Sequence, residues 1–139
     1  MKIVIYIVYF LVFTFCYYFL NKRLPTKWVF ILYPLIFVAS IYPMKLWYNY
    51  AHPIYGEALA GSWLKIILMM FASLCVFNII YGFVSIGVNT QVNFQQTYGN
   101  AQSSPIKNFI DNASNLKGAL HFLFYLGGVI LMGIATAKY

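Results

Sequence analysis

Residues 64–88 read LKIILMMFASLCVFNIIYGFVSIGV, and this stretch decides the fold class. Its one charged residue is Lys65, and its apolar residues run continuously. A helix of this length rises about 38 Å, which is more than the roughly 30 Å hydrocarbon core of a bilayer. Continuous hydrophobicity predicts a helix rather than a barrel strand, in which apolar and polar residues alternate. The stretch therefore predicts a tilted membrane-spanning helix.

Three more apolar runs complete the pattern, over residues 3–20, 28–44 and 119–137. The first meets no small-residue cleavage site, which favours an uncleaved span over a signal peptide. In the whole chain 63% of residues are hydrophobic and 8% are charged, whereas soluble domains carry about 25% charged residues. The expected fold is an all-α membrane protein, a four-transmembrane-helix bundle that forms one domain over residues 1–139.

The connections are predicted from the polar segments between these runs. Residues 21–27 form a short basic turn, so the first two spans are expected to make an antiparallel hairpin. Residues 45–63 contain Pro and Gly and are expected to form an irregular loop on the membrane surface. Ser104 and Pro105 are typical of a helix start. They predict that residues 89–118 end in a short amphipathic helix that lies on the membrane before the last span.

Four residues are predicted to anchor the bundle at the membrane surface: Trp28, Trp47, Trp63 and Lys65. Trp rings prefer the membrane–water interface, and a lysine near a span end extends its ammonium group to the headgroups. Lys22, Arg23 and Lys27 cluster in the first turn. Because cytoplasmic turns carry an excess of Lys and Arg, this cluster favours an orientation with both termini outside.

One stripe on the fourth span contains the candidate interaction residues. His121, Gly128 and Ala135 recur every seven residues, and Tyr125 lies one turn after His121. This spacing places them on one helix face, where small residues let a neighbouring helix approach closely. A second interpretation makes His121 a haem or metal ligand or a proton site. A simpler one places it at the membrane surface, bonded to a headgroup, water or a loop carbonyl.

The remaining polar residues of the spans indicate packing rather than chemistry. Asn78 lies in the middle of its span, so it is expected to face the bundle and bond across helices, with a substrate contact as the alternative. Cys16 and Cys75 are expected to act as small hydrophobes. The two acidic residues, Glu57 and Asp111, lie outside the spans. Ion-coupled carriers and metal-assisted hydrolases normally need carboxylates, so no catalytic residue, metal or cofactor is expected.

The expected partners are the lipid bilayer and another membrane protein, or a second copy of the chain. Most of the nine basic residues are scattered singly, a pattern that does not predict nucleic-acid binding.

In its size, its four spans and its basic short loops, the chain resembles small bacterial membrane proteins by hydropathy. Examples are bacteriocin or toxin immunity proteins and accessory subunits of larger assemblies. Four spans with packing residues and no reactive cluster predict a non-catalytic function through protein–protein interaction, as an accessory subunit or an immunity-type protein. The expected location is a bacterial inner membrane, although the abundance of Phe, Tyr, Ile and Asn fits a bacterium or an organelle genome. An oligomeric channel or uncoupled small-solute carrier is one alternative. Another is a small membrane enzyme or haem-binding subunit that uses His121.

Overall fold

The computed structural model describes residues 2–100 and 102–139, which form helices and no strands. The first helix is continuous over Lys2–Arg23. It consists of α1, a π-helical turn and α2, and three long helices follow it. The bounds are α1 (Lys2–Thr14), the π-helical turn (Phe15–Leu20), α2 (Asn21–Arg23), α3 (Thr26–Tyr55), α4 (Glu57–Tyr98) and α5 (Ser104–Lys138).

Four of these helices are long and apolar enough to cross a membrane. They are the first helix, α3, α4 and α5, and each contains one of the four apolar runs. The prediction of an all-α chain with four helices of spanning length is therefore confirmed for the described residues. Length and composition together account for this result, because the four apolar runs of 17 to 25 residues rise about 26–38 Å as helices.

Residues 45–63 are helical, so the prediction of an irregular loop is wrong. Only Gly56 separates α3 from α4, and its φ of 82° makes the sharp reversal between them. Glycine adopts this conformation without the steric penalty of an L side chain. Pro43 and Pro53 lie inside α3, where each removes a single backbone donor. The helix α3 packs along α4, and Ala51 and Ala60 are buried near the reversal.

Residues 89–118 also differ from the prediction. A helix does begin at Ser104 with Pro105 in its first turn, as predicted, but Ser103 rather than Ser104 is its N-cap residue. This helix then continues without a break to Lys138, so a separate short helix before the last span is absent. Residues 89–98 of α4 and 104–118 of α5 together form a two-helix extension, which we call the polar hairpin. Ala113 is buried there against α4, and Lys117 Nζ lies 3.5 Å from Asn89 Oδ1.

The central helix of the bundle is α4, which packs against both α3 and α5. The first helix runs parallel to α4 in a constant register. The Tyr9 hydroxyl lies 2.7 Å from Ser73 Oγ, and two ring pairs follow at the same sequence offset, Phe13–Phe77 and Tyr17–Tyr81. The register places the polar and aromatic side chains of the first helix directly between α4 and α5.

Candidate functional site

A column of aromatic rings fills the space between the first helix and α5. Tyr9 and Phe13 stack with ring centroids 5.4 Å apart, and Phe13 stacks on Tyr125 at 5.5 Å with an interplanar angle of 6°. Phe13 is fully buried. Gly128 makes this packing possible, because a Cβ atom there would lie 2.7 Å from Phe13 Cζ and 3.2 Å from Phe77 Cδ2.

The π-helical turn keeps Asn21, the last residue on the buried face of the first helix, directed into the bundle. Buried residues recur every four positions at Tyr9, Phe13, Tyr17 and Asn21. In an α-helix, residues four apart drift by about 40° around the axis, because a turn takes 3.6 residues. The backbone N–H of Asn21 bonds instead to the carbonyl of Cys16, five residues earlier, and this wider turn offsets the drift. Asn21 is consequently 5% exposed, although the sequence predicted it to lie in a turn.

Three side chains next to this turn form a hydrogen-bonded chain across the bundle. The Tyr33 hydroxyl donates to Asn21 Oδ1 at 2.7 Å, and Asn21 Nδ2 donates to Asn78 Oδ1 at 2.6 Å. Asn78 Nδ2 donates in turn to the carbonyl of Leu74 at 2.7 Å. Asn78 therefore faces the interior and bonds across helices. Its side chain is fully buried and is engaged through both ends of its amide.

His121 lies in the interior, 7% exposed, beside the same turn. Its ring stacks on Tyr81 with centroids 4.0 Å apart, and its Nε2 lies 3.3 Å from Ser85 Oγ. The Tyr17 hydroxyl donates to its backbone carbonyl at 2.9 Å. Its Nδ1 is buried and makes no hydrogen bond with the described residues. The interpretation that placed His121 at the surface is therefore wrong, because its ring packs between helices.

Tyr125, one turn after His121, ties the first helix to α5. The Thr14 hydroxyl donates its single proton to the carbonyl of Phe10 at 2.7 Å. The Tyr125 hydroxyl, 2.8 Å from Thr14 Oγ1, is therefore the donor of that hydrogen bond. This contact spans 111 residues of sequence and closes the bundle between its first and last helices.

The other sequence-selected residues lie in four places. Gly128 and Ala135 are buried on the same face of α5 as His121. Trp47 and Trp63 stack at 6.3 Å where α3 and α4 approach their reversal, and Trp28 is half exposed at the start of α3. Lys65 is exposed, with its Nζ 5.6 Å from the ring centroid of Tyr139. The structure thus separates the four predicted anchors from the α5 stripe.

The side chains that surround His121 and Asn78 form what we call the buried polar centre: Tyr17, Asn21, Tyr33, Asn78, Tyr81, Ser85, His121 and Tyr125. Its members carry hydroxyl, amide and imidazole groups and no carboxylate. Among the described residues no group of three His, Cys, Asp or Glu side chains is placed to hold a metal ion. Hydrogen bonds of the buried polar centre link the first helix to α3, α4 and α5, and α4 to α5.

Sequence reasoning missed Asn21, Tyr33 and the Tyr9–Ser73 pair. The four-residue spacing from Tyr9 to Asn21 was a visible signal for the first of these. Nothing local marks Tyr33 or Ser73, because each one meets its partner across a helix boundary.

Comparison with known proteins gives no family: no protein-family model matches the chain, and no curated protein or solved structure is similar to it. The fold and its interior define a general class, an all-helical chain with four helices of membrane-spanning length.

Proposed function

We propose that this chain is an integral membrane protein that binds another membrane protein, as an accessory subunit or an immunity-type protein. The observation that carries the proposal is the polar hairpin. It continues α4 and α5 beyond the apolar runs 64–88 and 119–137, and residues 89–98 alone add about 15 Å of helix. Exposed amide side chains cover it, among them Gln91, Asn93 and Gln96. Neutral amides donate and accept directional hydrogen bonds, which suits recognition of one protein surface.

The hydrogen bonds of the interior support the same proposal, because its polar groups bond to one another rather than face an open path. Each amide and hydroxyl named in the Tyr33–Asn21–Asn78 chain bonds to a neighbouring helix or backbone carbonyl. Inside a bilayer such bonds hold helices together. A channel or uncoupled carrier would need polar groups that face a path, so the full burial of Asn78 favours binding over transport.

The proposed location is a bacterial inner membrane, with the polar hairpin in the cytoplasm and both termini outside. The end of the first helix carries Lys22 and Arg23, the start of α3 carries Lys27, and the hairpin on the same side adds Lys107 and Lys117. The other side carries Lys2, Lys45, Lys65 and Lys138. The totals are five against four, so the cluster of Lys22, Arg23 and Lys27 is what supports placing this side in the cytoplasm. Single-cysteine labelling at Thr26 and Tyr50, in a chain without Cys16 and Cys75, should modify Thr26 only from the cytoplasm and Tyr50 only from outside. The reverse pattern would invert the orientation.

Site-specific photocrosslinking in the host cell tests the binding proposal. A photoreactive residue at Gln96, on the exposed hairpin, should give one discrete adduct with a membrane protein. The matched control is Val38, which is 64% exposed in the apolar run of α3 and should give no discrete protein adduct. An adduct of the chain with itself at Gln96 would indicate an oligomer instead. A discrete adduct at Val38 alone would move the interface from the hairpin to the spans.

A second candidate function, a small membrane enzyme or haem-binding subunit, is favoured by one observation. His121 Nδ1 is buried without a hydrogen bond to the described residues. Two contacts weigh against haem ligation, since Tyr81 covers one face of the imidazole at 4.0 Å and Ser85 lies against Nε2. A visible absorption spectrum of protein purified from haem-replete cells tests this candidate, and a Soret band lost in His121→Gln would establish it.

A further inference from the structure

A cleft of about 380 Å³, which we call the hairpin cleft, lies between α4 and α5 inside the polar hairpin. Its α4 wall consists of Val88, Asn89, Val92 and Asn93, and its α5 wall consists of Ala113, Ser114 and Lys117. Residues four apart recur in both walls, so each wall follows one face of its helix. The cleft begins where the apolar runs 64–88 and 119–137 end, and it extends away from them along the hairpin.

The polar groups of the hairpin cleft supply hydrogen-bond donors from both walls. Lys117 Nζ donates to Asn89 Oδ1 at 3.5 Å, and this contact uses one of the three ammonium N–H groups. Because Asn89 accepts that bond through Oδ1, its Nδ2 group can donate to a ligand. Asn93 adds a second amide and Ser114 adds a hydroxyl, and each of them can donate as well. The cleft can therefore offer an acceptor group donors from α4 and α5 at once.

The charge of Lys117 is not balanced by a carboxylate in the lining of this cleft. Asp111, the one acidic residue of the hairpin, lies six residues before Lys117 on α5. Six residues turn a helix position by about 240°, so the two side chains lie on faces about 120° apart. Asp111 lines a different cleft of the hairpin, together with Lys107. One cleft thus contains a cation and an anion, whereas the hairpin cleft contains a cation alone.

We propose that the hairpin cleft binds a side-chain carboxylate, from an aspartate or a glutamate, of the protein partner. A carboxylate carries one negative charge and only accepts hydrogen bonds, which matches a single ammonium group surrounded by neutral donors. Val88 and Val92 line the cleft beside these donors and suit the methylene groups of such a side chain. The inference rests on the proposed function, because it names the chemistry by which the hairpin recognises its partner.

Photocrosslinking at Gln96, with and without the charge of Lys117, tests the inference. Lys117→Gln keeps a hydrogen-bonding side chain beside Asn89 and removes the charge. It should lower the yield of the Gln96 adduct about tenfold, the factor that corresponds to the weakest charge-assisted hydrogen bonds. The matched control, Lys107→Gln, removes the same charge from the cleft that contains Asp111 and should leave the yield unchanged. Equal losses in the two variants would show a general effect of hairpin charge and overturn the carboxylate site.

Crosslinking from inside the hairpin cleft identifies its occupant. A photoreactive residue at Ser114 should join to a segment of the partner that contains an aspartate or a glutamate. The control position is Asn112, which is exposed and lies two residues away on the opposite side of α5, and it should not join to that segment. A phospholipid adduct at Ser114 in place of the partner segment would overturn the inference, because the anion would then come from a headgroup.

Charge exchange separates a lost contact from a misfolded variant. Lys117→Glu should abolish the Gln96 adduct, and replacement of the partner's carboxylate by lysine should restore it, which a misfolded hairpin would not allow. If Gln96 of the wild type gives no discrete protein adduct, the proposed function fails and the carboxylate site fails with it. If the wild type gives the adduct and Lys117→Gln retains it in full, the carboxylate site alone is wrong.

Discussion

The helices α4 and α5 contribute to both the buried polar centre and the polar hairpin, yet their polar residues behave oppositely in the two regions. In the centre, Asn78 is fully buried and bonded through both ends of its amide. In the hairpin, Asn93 and Gln96 have the same functional group and are exposed. The same amide group bonds helices together in the buried centre, whereas in the hairpin it is open to water.

The comparison also separates two kinds of sensitivity to mutation. A buried polar group that loses its partner keeps its full desolvation penalty, and a fully packed ring has no room to move. Exposed amides on the hairpin can bond to water in the absence of a partner, so their substitution usually changes stability by less than about 0.5 kcal/mol. Stability should therefore depend on the interior, and binding should depend on the hairpin.

The largest effect is expected from Gly128→Ala, which adds one methyl group against Phe13. Phe13 cannot yield easily, because Tyr9 and Tyr125 stack on it. Overpacking of this kind costs about 1–3 kcal/mol, and it should lower the thermal unfolding midpoint in detergent.

The neighbouring residue provides a matched control. A Cβ atom at Gly127 would lie 3.5 Å from Phe77 Cε1, an ordinary contact. Gly127→Ala should leave stability unchanged or raise it slightly, since alanine favours helix over glycine. Equal effects at the two positions would show that the α5 stripe is not a close helix contact. Combining Gly128→Ala with Phe13→Leu should recover part of the loss.

An intermediate effect is expected from the Asn21–Asn78 pair. Asn78→Leu leaves Asn21 Nδ2 without its acceptor, and Asn21→Leu leaves Asn78 Oδ1 without its donor. Hydrogen bonds between membrane helices contribute on average about 0.6 kcal/mol and at most about 1.7 kcal/mol. A double-mutant cycle on unfolding free energies should return a coupling in this range, with the double variant less destabilised than the sum of the singles. Strict additivity would mean that the two amides do not interact.

The smallest effect is expected from His121→Gln, which keeps a hydrogen-bonding side chain of similar reach beside Ser85. If the interior only holds helices together, the variant should insert normally, crosslink normally at Gln96 and lose little stability. Glutamine neither titrates near neutral pH nor replaces imidazole as a metal ligand. Loss of the cellular function at normal membrane levels would contradict the expectation that interior residues serve stability only. The candidate for chemistry would then be His121 with Tyr125.

Residues 45–63 show how local sequence can predict the wrong structure. Pro53, Gly56 and Gly61 are turn-forming residues by their backbone preferences, and together they predicted a loop. Only Gly56 breaks the helix. Each proline loses one backbone hydrogen bond, and α3 nevertheless stays helical while it packs along α4.

The helical class and the four apolar runs of 17 to 25 residues follow from composition alone, because the hydrophobicity of a segment is a sum over its own residues. The tertiary structure alone decided which polar residues meet. Asn21 reaches Asn78 through a π-helical turn that no single residue marks, and His121 lies inside because Tyr17 and Tyr81 arrive from two other helices. Such contacts depend on the rotation and register of one helix against another. That geometry is set by the packing of all the helices together, and no local window of residues contains it.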